Sequence, residues 1–254
     1  MRSVLGVIPA RWGSTRFPGK ILHPLCGRPL LAWVVDRARE AQRLSSLLVA
    51  TDDSRIAAAA AELGLEAVMT SPDHPSGTDR VAEAIRGRSA AGVVNIQGDE
   101  PLVDPSLINR LADLITGSDG WDMATAATPI QDPRLLANPS VVKVVFAADG
   151  TALYFSRAVI PHQRDRQDPL PPEPVYFRHI GLYAYRTEFL TRLVAAPPCA
   201  TERVEKLEQL RALHLGARIC VVTAESQGPG VDTPEDAPAA EAALRAAGRV
   251  KENP

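Results

Sequence analysis

Apolar residues along the chain follow two rhythms. Val4-Leu5-Gly6-Val7-Ile8, Leu47-Leu48-Val49-Ala50 and Val93-Val94-Asn95-Ile96 are short, nearly continuous apolar bursts. Such bursts mark strands buried on both faces. Between them apolar positions recur at helical spacing. Leu31, Val34, Val35 and Ala38 share one face of a helix predicted over residues 30–41. A second helix is predicted over 54–63, with Asp52 or Asp53 as N-cap and Gly64 as its stop. Pro105 opens a third, to about residue 115, because proline suits a first helical turn. Strands alternating with helices imply βαβ units and a mostly parallel sheet with right-handed crossovers.

After residue 140 the rhythm changes. Strands are predicted at 141–146, 152–156 and 177–185, with Asp149-Gly150 as a hairpin turn. In the last of them His179, Gly181, Tyr183 and Tyr185 share one face, and Ile180, Leu182 and Ala184 the other. Residues 162–174 are rich in Pro, Asp and Arg and read as a long exposed loop. Helices return over 202–215 and 234–247, around a strand at 218–222. The chain shows no internal repeat.

Composition narrows the function classes. With 254 residues the chain needs no covalent staples to bury a core. It is 45% hydrophobic and 23% charged, which excludes global disorder. The net charge of −2 gives no footprint for nucleic acid or an anionic membrane. Cys26, Cys199 and Cys220 form no Cys-x-x-Cys pair, so neither a zinc knot nor a disulfide framework is expected. A reduced, cytoplasmic compartment fits best. The apolar stretch at 4–10 is too short for a signal peptide, and no run of 18 apolar residues exists to span a membrane.

Five segments carry candidate chemistry. The loop after the first strand, Pro9-Ala10-Arg11-Trp12-Gly13-Ser14-Thr15-Arg16-Phe17-Pro18-Gly19-Lys20, combines small residues with three cations. It reads as a phosphate cradle or as a solvated basic loop. It is not a P-loop: five residues separate Gly13 from Gly19, and Ile21 follows Lys20. Gln97-Gly98-Asp99-Glu100-Pro101 puts a carboxylate at the end of a strand, placed either for a divalent cation or for a turn. In Gly230-Val231-Asp232-Thr233-Pro234, Asp232 or Thr233 is a helix cap or a ligand. Ser76-Gly77-Thr78 precedes a helix that can meet a nucleotide; otherwise Thr78 caps it and Arg80 is solvated. Glu208, between Val204 and Leu215 on its predicted helix face, pairs with Arg211 or meets a substrate hydroxyl or a cation.

Together these segments carry a wider pattern: Pro-Ala-Arg-x-x-Ser-Thr-Arg-x-Pro-Gly-Lys at 9–20, Ala50-Thr51-Asp52, and Asp73-His74-x-Ser76-Gly77-Thr78-Asp79-Arg80. Asn95-x-Gln97-Gly98-Asp99-Glu100-Pro101, Val142-Lys143-Val144-Val145, Tyr154-Phe155-Ser156-Arg157 and Arg178-His179-x-Gly181-x-Tyr183 continue it. Leu207-Glu208-Gln209-Leu210-Arg211 and Gly230-Val231-Asp232-Thr233-Pro234 close it. In this order the blocks resemble the CMP-KDO synthetase family, the cytidylyltransferases that activate 3-deoxy-D-manno-octulosonate (KDO) for lipopolysaccharide synthesis.

The resemblance implies an α/β fold of the nucleotide-diphospho-sugar transferase type. Its parts would be a nucleotide-binding portion at 1–128, a β-rich portion with sugar and dimer contacts at 129–200, and completing helices at 201–254. It further implies a homodimer, CTP and KDO as substrates, and Mg²⁺ as cofactor. Arg11, Lys20, Asp99 and Asp232 would be catalytic, with Asp99 and Asp232 on the metal. Pro9, Ala10, Arg11, Arg16, Lys20, Ser76, Gly77, Arg80 and Gln97 would hold the nucleotide. Gln97, Arg157, His179, Tyr183, Tyr185, Glu208 and Gln209 would line the sugar pocket, with Arg157 forking onto the sugar carboxylate. A CMP-transferase for 8-amino-KDO or sialic acid is the alternative, since only the sugar wall would differ.

Overall fold

The continuous apolar bursts become parallel strands. In the computed structural model, described over residues 3–13, 16–118, 120–164, 170–171, 173–225 and 228–250, the chain forms two compact units. One comprises Met1–Ala112 with Gln227–Pro254, the other Asp113–Ser226.

The first unit opens with β1 (Val4–Ala10), the short hairpin β2 (Pro24–Leu25) and β3 (Arg28–Pro29), and α1 (Leu30–Arg39). It continues through β4 (Ser46–Thr51), α2 (Ser54–Glu62), β5 (Glu66–Met69), α3 (Gly77–Ala84), β6 (Gly92–Asn95) and the first part of α4 (Pro105–Thr116), within which the unit ends. The longer strands run parallel in the order β6-β1-β4-β5. Val7, Ile8, Val49, Val93 and Val94 are fully buried, as strands covered on both faces require. The apolar face predicted for α1 is the buried one, and its Trp33 Nε1–H donates to Leu25 O at 2.9 Å. Asp53, not Asp52, caps α2 by accepting the Arg55 N–H, and Gly64 follows the helix at φ +69°.

The second unit contains β7 (Met123–Pro129), α5 (Pro133–Ala137), β8 (Lys143–Phe146), β9 (Ala152–Ser156), β10 (Phe177–Arg186), α6 (Thr187–Ala195), α7 (Ala200–Glu205), α8 (Gln209–His214) and β11 (Ile219–Thr223). Its central strand is β7, parallel to β11 on one side and antiparallel to β10 on the other. The hydrophobic pattern does not predict β7. Met123-Ala124-Thr125-Ala126-Ala127-Thr128 offers small residues where strand signals need branched or aromatic ones. Tertiary packing overrides that weak propensity, because all six are buried. The hairpin at Asp149-Gly150 forms as expected, with Ala147 N–H donating to Thr151 O and Gly150 at φ +84°.

β10 carries an irregularity that matters below. Its register against β7 passes from Ile180↔Ala126 to Tyr183↔Thr125, leaving Gly181 and Leu182 as two extra residues. An even insertion preserves side-chain alternation, so His179 and Tyr183 stay on one face. Their ring centroids lie 5.2 Å apart, and Tyr183 and Tyr185 6.0 Å apart.

The helix expected at 202–215 is two helices. Lys206 takes the left-handed conformation (φ +54°), and its N–H closes α7 on Glu202 O at 2.7 Å. The break turns Leu207 into the interior while Val204 is 83% exposed. Glu208 therefore stands before the first turn of α8, not between Val204 and Leu215 on one face. Back in the first unit, a 3₁₀ turn at Pro234–Asp236 leads into α9 (Ala237–Ala246). Among the described residues no helix is long and apolar enough to cross a membrane.

The break at Lys206 yields a test with opposite signs. A left-handed residue costs a non-glycine about 1–2 kcal/mol, and glycine escapes that cost. Lys206→Gly should raise the melting temperature, worth about 0.5–1 kcal/mol after glycine's own entropy. In one continuous helix the same change would cost about 1 kcal/mol, so a lowered melting temperature sinks the two-helix assignment.

Candidate active site

In the first unit the carboxyl ends of the parallel strands surround a cavity of about 300 Å³. Ligands bind at such ends in open α/β sheets, where loops and helix N-termini converge. Pro9, Ala10, Arg11, Arg16 and Lys20 reach it from the loop after β1. Ser76, Gly77 and Arg80 come from the start of α3, Gln97 and Asp99 from the exit of β6, and Asp232 from the segment before α9. Every residue expected to meet the nucleotide or a metal thus lines one cavity, joined by Ile21, His74, Pro75 and Gly98. Ser14 and Thr15 of the same loop lie outside the described residues.

Lys20 is the junction. Its Nζ donates to Asp99 Oδ2 at 2.7 Å and to Asp232 Oδ1 at 3.2 Å. Its side chain is 14% exposed, so this contact is only partly screened. Arg16 also reaches Asp232 at 3.2 Å, but both partners are more than half exposed. That pair is worth about 0–1 kcal/mol and leaves Arg16 free to move. Two turns set the junction. Gly19, at φ +70°, packs against Trp12 and donates its N–H to Trp12 O, closing the loop that delivers Lys20. A Cβ on Gly98 would stand 2.5 Å from Ile21 Cδ1 and 3.3 Å from Pro9 O, so a larger residue there would displace the Ile21 side chain and crowd the end of β1, which the loop of Asp99 passes closely.

Asp232 is not a helix cap. Thr233 holds that position, and Asp236 accepts the N–H groups of both Thr233 and Asp232. Burial opposes ionisation of Asp236, but those backbone donors keep its carboxyl below the usual range. The Asp232 carboxylate is thereby turned toward Lys20.

At α3 the capping residue is Ser76, not Thr78. Ser76 Oγ accepts the Asp79 N–H and donates to Asp79 Oδ2 at 2.6 Å. Arg80 is buried rather than solvated, at 3% exposure, held by Thr70 Oγ1 and by Asp52 Oδ2 at 2.8 Å. A buried, paired guanidinium at the cavity wall is a fixed donor, not a mobile surface charge. His74 pairs through Nε2 with Glu83, which also accepts the Ser71 N–H at 2.9 Å. The Ser71 bond, then the His74 bond, lower the Glu83 carboxyl below its usual range.

The residues expected on the sugar side, Gln97 apart, belong to the second unit. His179, Tyr183 and Tyr185 form the row of rings on β10, with Phe155 of β9 edge-on to His179 at 5.2 Å. Burial pushes the His179 imidazole down to about 3, so the ring is neutral at pH 7. Burial, aided by the charge of Glu208, pushes the Tyr183 hydroxyl well above its usual value. Glu208 lies 3.5 Å from Arg211, whose Nε is 3.1 Å from Glu202 Oε2. Gln209 is buried at the start of α8. Arg157 is anchored: its Nε donates to Glu205 O at 2.7 Å and its Nη1 to Pro139 O at 2.9 Å. Two of the nitrogens from which the expected two-bond fork could be made are thus already bonded to backbone carbonyls. Residues 165–169 and 172 of the proline-rich loop lie outside the described residues.

Sequence reasoning missed Thr125, which touches His179 from β7, and Asp52, which orients Arg80. Thr125 sits in the strand without a hydrophobic signal, and Asp52 next to a better capping candidate. Thr125 carries no local pattern that could have marked it; Asp52 stood in the Ala50-Thr51-Asp52 block, but nothing near it in sequence pointed to Arg80.

Known proteins share this arrangement along nearly the full chain. The cytidylyltransferase family matches residues 5–219. A 3-deoxy-manno-octulosonate cytidylyltransferase of Trichlorobacter lovleyi is 46% identical over 239 residues, 92% of this chain and 95% of that protein. Another, from an Anaeromyxobacter species, is 49% identical over 251 residues, 98% of this chain and 100% of that protein. The solved structure of a CMP:2-keto-3-deoxy-manno-octonic acid synthetase complexed with CTP matches at a TM-score of 0.90 and 37% identity, over 96% of this chain and 99% of that one. By sequence and by fold alike, the chain belongs to the 3-deoxy-manno-octulosonate cytidylyltransferase family.

Proposed function

We propose that this chain transfers CMP from CTP to KDO, releasing pyrophosphate, in the cytoplasm and for lipopolysaccharide synthesis. The observation that carries the reading is the convergence of Asp99 and Asp232 on Lys20 in a cavity also lined by Arg11, Arg16 and Arg80. The anomeric hydroxyl of KDO attacks the α-phosphorus of CTP; the bond to the β-phosphate oxygen breaks and pyrophosphate leaves with its electron pair. Such in-line displacement is governed by positioning and charge more than by covalent help from the protein. Arg11, Arg16 and Lys20 hold the triphosphate and take up charge on the leaving pyrophosphate. Pro9, Ala10, Ser76, Gly77 and Gln97 bring small groups and backbone close to the nucleoside, with Arg80 as a fixed donor.

A cation site is supported by the same geometry. The Lys20 ammonium already stands where two carboxylate oxygens converge, so a positive charge suits that position. Asp99 and Asp232 would hold Mg²⁺, which commonly takes one or two protein carboxylates and completes its shell with phosphate and water. Bound there, Mg²⁺ would neutralise phosphate charge and acidify the sugar hydroxyl.

On the sugar side, Arg157 offers an anchored cation to the KDO carboxylate. Glu208 and Gln209 meet sugar hydroxyls, against the wall of His179, Tyr183 and Tyr185. The chain acts as a homodimer through the second unit, where Leu153 (60% exposed) on β9 and Val204 (83%) on α7 present apolar side chains to solvent. Among the described strands β9 pairs with β8, and beyond the bridge of Thr151 to Cys220 its other edge is one a second copy can cover.

Three measurements test this reading. Pyrophosphate release should be seen with CTP and KDO, weakly with UTP, and not with ATP or GTP. Faster turnover of 8-amino-KDO or sialic acid than of KDO would reassign the sugar. Asp99→Asn or Asp232→Asn should lower kcat at least about a hundredfold with an unchanged melting temperature, the scale of one lost preorganised electrostatic contact. Near-full activity of Asp232→Asn at limiting Mg²⁺ removes the cation site. Val204→Glu combined with Leu153→Glu should convert a dimer to a monomer in sedimentation equilibrium; an unchanged mass displaces the interface from this surface.

A further inference from the structure

We infer that Thr125 is a positioning residue for the sugar-side reaction. Its hydroxyl locks His179 as the neutral Nε2–H tautomer, so that Nδ1 faces the substrate as a hydrogen-bond acceptor. The inference rests on the proposed placement of His179 beside the sugar.

The argument is one of counting protons. Thr125 is fully buried in β7, and its Oγ1 lies 2.9 Å from Leu182 O, 3.2 Å from Ile180 O and 2.9 Å from His179 Nε2. A hydroxyl has one proton to give and two lone pairs to receive with. Both carbonyls can only accept, so the proton is directed at them, with Leu182 O the nearer. The oxygen is left to accept from the imidazole, and Nε2 must carry the hydrogen. The opposite tautomer would draw the Thr125 proton to the ring and leave two buried carbonyls facing a lone pair, an arrangement that costs their hydrogen bonds and adds repulsion.

The two-residue bulge in β10 creates this trap. Gly181 and Leu182 interrupt the ladder against β7, and the carbonyls of Ile180 and Leu182 turn to the Thr125 side chain. Phe155 and Tyr183 then fix the plane of the ring, each with its centroid 5.2 Å away. Among the described residues the ring has no second hydrogen-bond partner, so the Nδ1 lone pair stays available. A neutral acceptor of fixed direction selects a donor, and KDO offers hydroxyls rather than a cation. The burial that keeps the ring neutral agrees with this assignment. Among the described residues the Thr125 hydroxyl bonds only the ring and backbone carbonyls, so its effect on the site runs through His179.

The test reads the tautomer directly. Long-range ¹H–¹⁵N correlation on the wild-type protein, labelled at histidine nitrogens, should show His179 protonated at Nε2 and bare at Nδ1. Thr125→Val should abolish that single tautomer and raise KM for KDO about five- to tenfold, with KM for CTP unchanged, the scale of one hydrogen bond. Thr125→Ser should restore both readings. Nδ1–H in the wild type overturns the inference without any variant, so a Thr125→Val protein that fails to fold does not shelter it. An unchanged tautomer in Thr125→Val also overturns it. An altered tautomer with wild-type KDO saturation overturns the substrate-facing role and counts against the sugar-side placement of His179. Absence of pyrophosphate release with KDO in the wild type is a separate failure, that of the proposed reaction, and leaves the tautomer reading intact.

Discussion

Two carboxylates drawn into one small cavity repel each other, and in this chain a single ammonium resolves the conflict. Asp99 and Asp232 both bind Lys20, from positions 79 and 212 residues away along the chain. The contact survives only if three loops close to within hydrogen-bond distance. That demand accounts for much of the local backbone: the left-handed Gly19, the bare Cα of Gly98 against Ile21 and Pro9, and the turn in which Asp236 gathers the N–H groups of Asp232 and Thr233. Each device acts where a loop would otherwise stand off by the width of a side chain.

The surrounding cavity follows one electrostatic logic. Anions that belong to the fold already have partners of their own: Asp52 the guanidinium of Arg80, Asp53 that of Arg55, and Glu83 the imidazole of His74. Arg11 and Arg16 are exposed at the mouth and, with Lys20, outnumber the carboxylates of Asp99 and Asp232, so the local charge there is positive although the chain as a whole carries −2. A triphosphate meets that local field, not the average. Net charge excluded a broad polyanion surface, and it was silent about a cavity a few side chains wide.

In the second unit polar side chains are fixed by burial instead of by counter-charge. Lys143 is fully buried, and its Nζ donates to the carbonyls of Asn138, Val141 and Arg157. Burial, then the nearby charge of Arg157, lower its pKa, with Glu205 opposing. Glu205 in turn takes the Ser156 hydroxyl and the Arg157 N–H, which sets the backbone from which the Arg157 guanidinium projects. Thr125 does the same for His179. In one place a helix end supplies the anchor and in the other a strand of small residues, and the group held is the one with chemistry to offer.

The sequence alone carried the signals that depend on near neighbours. Apolar bursts marked β1, β4 and β6, spacing gave the buried face of α1, and Gly64 marked where α2 stops, because strand burial, helical period and left-handed glycine are written within a few residues. Motif order singled out residues from Pro9 to Asp232 that the structure gathers around one cavity. Tertiary structure decided the rest. It made a strand of the small residues at Met123–Pro129, because enclosure between β10 and β11 outweighs their weak propensity. It broke the helix at Lys206, because burying Leu207 outweighs continuing a helical ladder. It chose Thr233 over Asp232 as a cap and buried Arg80 against Asp52, choices between residues of equal local aptitude. Most of those choices turn on groups tens or hundreds of positions away, as Asp52 lies 28 residues from Arg80, and a local pattern holds no record of such distances.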